Sequence, residues 1–315
     1  MFSRENTNTI RYACCFIVVF SHIMFPETYL YLGYPHFVCV TIFFLLSGYG
    51  LMASFLDDRE KCLHKQSNRI VKLIYPLVFV ILIENSIDIP LGTAGLWWFD
   101  VLILYYIAFG LLLLLVKNKY LLVFLNSVFV LAYSVFFQEI IMIRGVDLGW
   151  TNYFGWAQQS LGFIGGMIIA LWKNRIFEIY YKYKAAIAIL SVAMLIPSGL
   201  VYIRPHDITR VTNEQFIIRT VISFACINLL IILLFYVSFG NKLTKYVGEK
   251  LSIYIFAIHG LFIGIINKYF NGIDNNIKII LIVVLSILGA VCMYNLKLLF
   301  LNVYVKIKKE RKYRD

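Results

Sequence analysis

The sequence predicts an all-α fold: a polytopic membrane protein with about ten transmembrane helices and both termini in the cytoplasm. Three observations lead to this fold class. The 315 residues are 61% hydrophobic and only 15% charged, with a mean hydropathy of +0.80, and one soluble core cannot bury so much apolar surface. The apolar residues come in runs of about 20, the length that crosses a bilayer as a helix. The basic residues lie between those runs.

The apolar runs predict the individual helices. Each run is continuously apolar and lacks the alternation of lipid-facing and interior residues that membrane strands require, which excludes a β-barrel. A helix, in contrast, satisfies its own backbone groups inside the bilayer. We therefore predict spans near residues 9–25, 37–55, 70–87, 97–116, 120–137, 156–172, 185–202, 216–237, 251–268 and 279–301.

The connections between these spans predict the orientation. With a cytoplasmic N-terminus, most of the 29 Lys and Arg residues fall in the inner loops and the two tails, as the positive-inside rule requires. The formal net charge of +12 is then explained by topology and by contact with anionic lipids. No nucleic-acid partner is expected.

The remaining features of the composition indicate one membrane domain. Five of the six cysteines fall inside predicted spans, and Cys62 lies in an inner loop. No extracellular disulfide is therefore expected. No CxxC pair suggests zinc, and no metal is expected. The N-terminal run lacks a small-residue cleavage site, which favours a retained helix over a removed signal peptide. No repeat or linker divides the chain, so residues 1–315 are expected to form a single domain.

The first predicted span carries an arginine and a histidine at its opposite ends. Eleven residues separate Arg11 from His22, which on a helix places both side chains on one face and about 16 Å apart along the axis. Ionisable groups in a span are functional candidates, because an idle one costs insertion free energy. Two simpler interpretations stay open: Arg11 as an anchor at the membrane surface, and His22 as a structural histidine.

Later segments complete a recognisable pattern. They are FFLLSGYGL at 43–51, NRIVKLIYP at 68–76, LWWFDVLILYY at 96–106 and GEKLSIYIFAIH at 248–259. With the first span, the chain resembles the integral-membrane acyltransferase-3 family, bacterial enzymes that O-acylate cell-surface glycans, over nearly its whole length. The residues that carry the resemblance are Arg11 and His22, then Phe43, Phe44, Ser47 and Gly48, then Arg69, Lys72 and Pro76, and finally Ser252, Tyr254 and His259.

The resemblance implies a binding site for acyl-coenzyme A, the expected donor substrate, at the cytoplasmic side. Arg11, Arg69 and Lys72 are the candidate phosphate-binding residues, since arginine offers a planar fork suited to phosphate. Lys72 stands where the family often has a second arginine, which keeps the charge but loses the fork. The alternative for Arg69 and Lys72 is an ordinary positive-inside loop.

His22 is the candidate catalytic residue. Its unperturbed pKa of about 6.5 suits a general base that deprotonates the acceptor hydroxyl near neutral pH. A carboxylate could orient its ring as in hydrolase triads, and Glu84, Asp100 and Glu27 are the candidates by their predicted depth. Asp100 follows WWF, where the family more often has an apolar residue, which leaves its role open.

A further set of residues is expected to line or support the channel. For Phe43, Phe44, Ser47 and Gly48, close approach of the pantetheine arm and close approach of another helix are both consistent with the sequence. His259 is expected to form a hydrogen bond inside the bundle, with channel lining as the second possibility. Trp and Tyr residues with carboxylates at 138–156 fit either a glycan-binding platform or an interfacial aromatic belt. The full set is Phe43, Phe44, Ser47, Gly48, Glu84, Asp100, Tyr254 and His259.

These features predict a multi-pass enzyme of the plasma (inner) membrane. It would move an acyl group, expected to be acetyl, from cytoplasmic acyl-coenzyme A to a hydroxyl of a cell-envelope or exported polysaccharide. Its partners would be the lipid bilayer and a glycan or lipid-linked sugar. The main alternative is a transporter of polysaccharide or a small metabolite, although the sequence shows neither matching halves nor paired broken helices.

Overall fold

The computed structural model describes residues 2–23, 36–87, 97–137, 154–203, 213–237, 240–270 and 272–312. Within these ranges all regular secondary structure is helical, which confirms the all-α prediction. The helices are α1 (Arg4–Ile23), α2 (His36–Asp57), α3 (Arg59–His64), α4 (Gln66–Ile87), α5 (Trp97–Leu115), α6 (Lys119–Phe137), α7 (Phe154–Leu171), α8 (Lys173–Ile203), α9 (Asn213–Tyr236), α10 (Lys242–Tyr246), a π-helical segment (Val247–Leu251), α11 (Ser252–Tyr269) and α12 (Asn275–Lys312).

Among the described residues, seven helices are long and apolar enough to cross a membrane. They cover His36–Asp57, Arg59–Ser86, Trp98–Leu115, Lys173–Val201, Phe216–Tyr236, Lys242–Tyr269 and Asn275–Val303. Lys119–Ser134 and Gln159–Leu171 are shorter apolar helices, and α1 opens with the polar sequence RENTNT. Each of the ten predicted spans coincides with a helix. The number of crossings and the side of each terminus stay predictions.

The helices differ widely in how much of their apolar surface is covered. In an apolar stretch of 18 residues, 67% is buried in α2, whereas only 6% of the corresponding stretch is buried in α8. Large apolar side chains on α8 are open, with Ile189 71% and Leu200 63% exposed. Such a surface is unfavourable in water but suits lipid. We conclude that α2 is central in the bundle and α8 peripheral.

Close backbone packing joins α2 to α7. A Cβ atom at Gly48 would overlap the carbonyl oxygen of Phe163, and one at Gly166 would overlap that of Leu45. Gly162 lies equally close to the backbone of α2. Small residues permit such crossings in membranes, where van der Waals packing and not the hydrophobic effect holds helices together. The glycines therefore fix α2 against α7.

A second core joins α1, α11 and α12. Cys15 and Val19 of α1 pack with Tyr254 and Ile258 of α11 and Met293 of α12. Just before α11 the chain forms the π-helical turn Val247–Leu251, a local widening that is frequent at functional sites. Gly248 in this turn is so close to the α1 backbone that a Cβ atom would overlap the carbonyl oxygen of Asn8. This turn brings Glu249 beside α1, where it contacts Arg4 and Asn8.

Candidate active site

A cavity of about 560 Å³ lies between α1, α2, α4, α5, the start of α11 and α12. Its volume is in the range of small-molecule sites. Three residues predicted to bind the donor, Arg11, Arg69 and Lys72, line it together. They come from α1 and α4, so helix packing joins two motifs that lie far apart in the sequence.

The cavity lining is strongly basic. Lys250 and Lys297 add to the three predicted cations, and Glu249 is the one carboxylate among the described lining residues. Glu249 already forms an ion pair with Arg4 and accepts a hydrogen bond of 3.4 Å from the Asn8 side chain. The cations therefore exceed the anions inside the cavity, and this excess favours a bound anion.

Local contacts hold Arg69 in place at the wall. Its Nη1 donates to Oε1 of Gln66 at 3.4 Å and lies 3.3 Å from Sγ of Cys62. Gln66 is buried, and its Nε2 donates to the backbone carbonyl of Tyr106 at 2.5 Å. The guanidinium is thus tied to α5 through a buried amide, while it still has donors for a ligand.

Lys297 is a site residue that the sequence-based prediction did not include. It lies in α12, and its Nζ donates to the hydroxyl of Tyr254 at 3.2 Å. The ammonium also lies 5.9 Å from the ring centroids of both Tyr75 and Tyr254, an arrangement that stabilises a cation in apolar surroundings. Its position inside a predicted span was the available signal, because lysine in a span is a functional candidate.

The cavity also has an aromatic wall. Phe43, Trp98 and Phe256 line it, with ring centroids 5.2 Å apart for Phe43 and Phe256 and 4.4 Å apart for Trp98 and Phe256. Ser47 lies on the same lining, as does Tyr254. A basic region and an aromatic region in one cavity suit a ligand that is anionic at one end and apolar at the other.

Two histidines meet next to this aromatic wall. His22 Nδ1 lies 2.7 Å from Nε2 of His259, and the His259 Nδ1 lies 2.8 Å from the carbonyl oxygen of Phe256. His259 is fully buried, whereas His22 is partly exposed. His259 thus forms the expected hydrogen bond inside the bundle. Neither histidine is among the described residues that line the cavity.

The expected carboxylate partner of His22 is not found among the described residues. The side chain of Asp100 is exposed, and Glu84 is half-buried with Oε1 lacking a hydrogen-bond partner. The partner that the structure gives to Nδ1 of His22 is His259. Glu27 and the segment 138–153 lie outside the described residues.

Two of the four residues of the FFLLSG motif that were predicted to line or support the channel lie away from the cavity. Phe44 is buried in the core, 6.0 Å from the ring of Tyr105, and Gly48 contacts α7. Of the two possibilities left open by the sequence, helix packing accounts for Gly48. Phe43 and Ser47, in contrast, line the cavity.

The described residues contain no group of three or more His, Cys, Asp or Glu side chains that could hold a metal ion. What the described part of the site does contain is cations, aromatic rings and a histidine pair. The fold and this site define a class: a polytopic helical membrane protein with a basic cavity that is suited to an anionic ligand.

Comparison with known families gives the chemistry of this class. A model of the acyltransferase-3 family, described as an acyltransferase domain, matches residues 5–295. The match extends from α1 to α12, so the chain belongs to this family and is a membrane acyltransferase. No curated protein and no solved structure matches the chain.

Proposed function

We propose that the protein transfers an acyl group, in the first instance acetyl, from cytoplasmic acyl-coenzyme A to a hydroxyl of a cell-envelope or exported polysaccharide. The observation that carries this proposal is the cavity that Arg11, Arg69 and Lys72 line together. A nucleotide donor with several phosphates needs such a cluster of cations. The plasma (inner) membrane is the proposed location, since it gives access to both cytoplasmic donor and exported acceptor.

The chemistry of the lining agrees with the shape of the donor. Coenzyme A has phosphates at one end and a thin pantetheine arm with the thioester at the other. Arg11, Arg69, Lys72, Lys250 and Lys297 would face the phosphates. The arm would run along Phe43, Trp98 and Phe256 toward His22. A transporter of uncharged glycan has no need of this separation between basic and aromatic ends.

His22 would act as general base in the transfer. The acceptor hydroxyl gives its proton to Nε2 of His22 while its oxygen bonds to the acyl carbonyl carbon. The tetrahedral intermediate then collapses, and the carbon–sulfur bond breaks. The sulfur takes the proton back from His22 and leaves as the thiol of coenzyme A, so that an ester and a free thiol are the products.

Coenzyme A binding to the purified protein tests the donor site. Arg11→Ala, Arg69→Ala and Lys72→Ala should each weaken the affinity by about 1.5–3 kcal/mol if a charge-assisted hydrogen bond to phosphate is lost. Arg69→Lys should also weaken it, because lysine keeps the charge but not the fork. Isothermal titration of coenzyme A into each variant gives the dissociation constants.

Lys61→Ala is the matched control. Lys61 is an exposed cation of α3, the short helix before α4. It pairs with Asp58 and is outside the cavity lining, so its loss should leave the affinity unchanged. Affinities of the cavity variants equal to that of Lys61→Ala would overturn the donor site. Wild-type membranes that do not transfer label from radioactive acetyl-coenzyme A to glycan would overturn acetyl transfer itself.

A further inference from the structure

We propose that His259 is a positioning residue, which holds His22 in the tautomer whose free Nε2 can act as the base. The inference rests on the proposed acyl transfer and on His22 as its general base. In this arrangement a buried histidine takes the place of the carboxylate that orients the base in hydrolase triads.

The direction of the hydrogen bonds follows from the Phe256 carbonyl. A carbonyl oxygen can only accept, so the Nδ1 of His259, 2.8 Å away, must carry a proton and donate. The Phe256 oxygen has two lone pairs, so it can accept this bond in addition to a helix backbone bond. This contact within one turn of α11 fixes the tautomer of His259.

The tautomer of His259 in turn fixes that of His22. A neutral imidazole with its proton on Nδ1 has a lone pair on Nε2. The Nε2 of His259 therefore accepts across 2.7 Å, and Nδ1 of His22 must be the donor. With its proton on Nδ1, His22 keeps its lone pair on Nε2, where no hydrogen bond is seen in the described part of the chain.

Packing holds the pair in this geometry. His259 is fully buried, and the two imidazole rings are nearly parallel, with an interplanar angle of 9°. The Phe256 ring lies edge-on to His259 at 5.7 Å between centroids. Because Phe256 also lines the cavity, one residue connects the wall of the donor site to the orientation of the base.

The pair can support the full proton cycle. When Nε2 of His22 takes the hydroxyl proton, the imidazolium keeps its Nδ1–H directed at the lone pair of His259. His259 itself need not change protonation, and the proton returns from Nε2 to the leaving sulfur. Within the described residues, the other titratable ring close to His22 is His36 of α2, at 5.6 Å between centroids.

Two substitutions separate positioning from packing. His259→Phe keeps an aromatic ring of similar size but removes the acceptor, whereas His259→Gln loses the ring and can place an amide oxygen near the former Nε2. If His259 positions His22, the His259→Phe variant should have a kcat that is lower by between about 10-fold and 10⁴-fold. Its KM for acetyl-coenzyme A should stay within about twofold of wild type. The His259→Gln variant should have a kcat at least about tenfold higher than that of His259→Phe, because its amide oxygen can accept the hydrogen bond from His22.

The measurement is transfer of radioactive acetyl from acetyl-coenzyme A to the glycan fraction of inside-out membrane vesicles, normalised to the amount of inserted protein. The same assay on the double variant His22→Ala/His259→Phe completes a double-mutant cycle. If His259 acts through His22, the double variant should be no slower than His22→Ala alone, because effects within one catalytic unit are not additive.

Three outcomes would overturn the inference. The His259→Phe variant could be more active than His259→Gln, it could have the wild-type kcat, or the losses of activity from His22→Ala and His259→Phe could add in the double variant. The first two indicate that the ring of His259 serves packing alone, and additive losses indicate that His259 acts independently of His22. These outcomes differ from failure of the proposed function, in which wild-type vesicles themselves would transfer no acetyl. Coenzyme A binding measured on His259→Phe shows that the variant is folded.

Discussion

The two sides of α2 are built in opposite ways, although they share one motif. On one side Gly48 contacts the backbone of α7, and a Cβ atom there would overlap Phe163. On the other side Phe43, Ser47 and Gly50 line the cavity, and a Cβ atom at Gly50 would meet nothing within 4 Å. One side is packed without space and the other is open to a ligand.

The difference between these sides teaches how a short motif can serve two purposes. Successive residues of a helix point about 100° apart, so Ser47 and Gly48 face different neighbours. The small residue on the packed side lets two helices meet. The residues on the open side leave room for the donor. Changes on the packed side should therefore reduce folded protein, and changes around the cavity should reduce function alone.

The largest expected effect is at His22 of α1, which lies outside the cavity lining and bonds to His259 beside the aromatic wall on the open side of α2. His22→Ala should lower acetyl transfer by about 10²–10⁴ through loss of general-base catalysis, while the protein still inserts and binds coenzyme A. Transfer and binding are measured on the same membrane preparation. His64→Ala, which removes an exposed histidine of α3, is the control and should behave as wild type. Near-normal transfer by His22→Ala would mean that another group is the base.

The second largest effect is expected on the packed side of α2, where substitution of Gly166 in α7 should lower stability. Gly166→Ala places a methyl group against the backbone of Leu45 and Tyr49, and overpacking of this kind costs roughly 1–3 kcal/mol. The neighbouring Gly165→Ala is the control, because a Cβ atom at Gly165 meets nothing within 4 Å. Thermal unfolding in detergent should separate the two variants. Equal melting temperatures would contradict the close α2–α7 crossing.

The smallest expected effect concerns Lys297, at the edge of the donor site. Lys297→Met should weaken coenzyme A binding by about fivefold or less, as for a half-buried cation that attracts phosphate without a fixed fork. Lys297→Arg keeps the charge and should restore most of the affinity. Titration of coenzyme A into both variants gives the comparison. If the Lys297→Met and Lys297→Arg variants bound coenzyme A equally well, the role of Lys297 would be to pack against Tyr75 and Tyr254 instead.

Much of the donor end could be predicted from sequence because its signals are local. Arg11 lies eleven residues before His22 on one helix, and helical periodicity alone places both on one face. Arg69 and Lys72 are three residues apart at the start of α4, so they too share a face. All three of these cations line one cavity in the structure. The role of His22 as the base stays a prediction.

The partner of His22 could not be predicted in the same way. The triad analogy indicated a carboxylate, and Glu84 and Asp100 had a suitable predicted depth. Depth along the membrane normal, however, does not determine which helices are neighbours. His259, which is 237 residues from His22 in the chain, is adjacent because α11 packs against α1.

The sequence by itself determined the all-α membrane fold, the approximate helix positions and the family, because hydropathy, helical periodicity and short motifs are properties of contiguous residues. The tertiary structure alone decided that Gly48 meets α7, that Lys297 reaches the cavity and that His259 bonds to His22. The physical reason is that most faces of a membrane helix are apolar and match lipid as well as they match other helices. Neighbours are then selected by close packing and by a few polar contacts between residues that are distant in the chain.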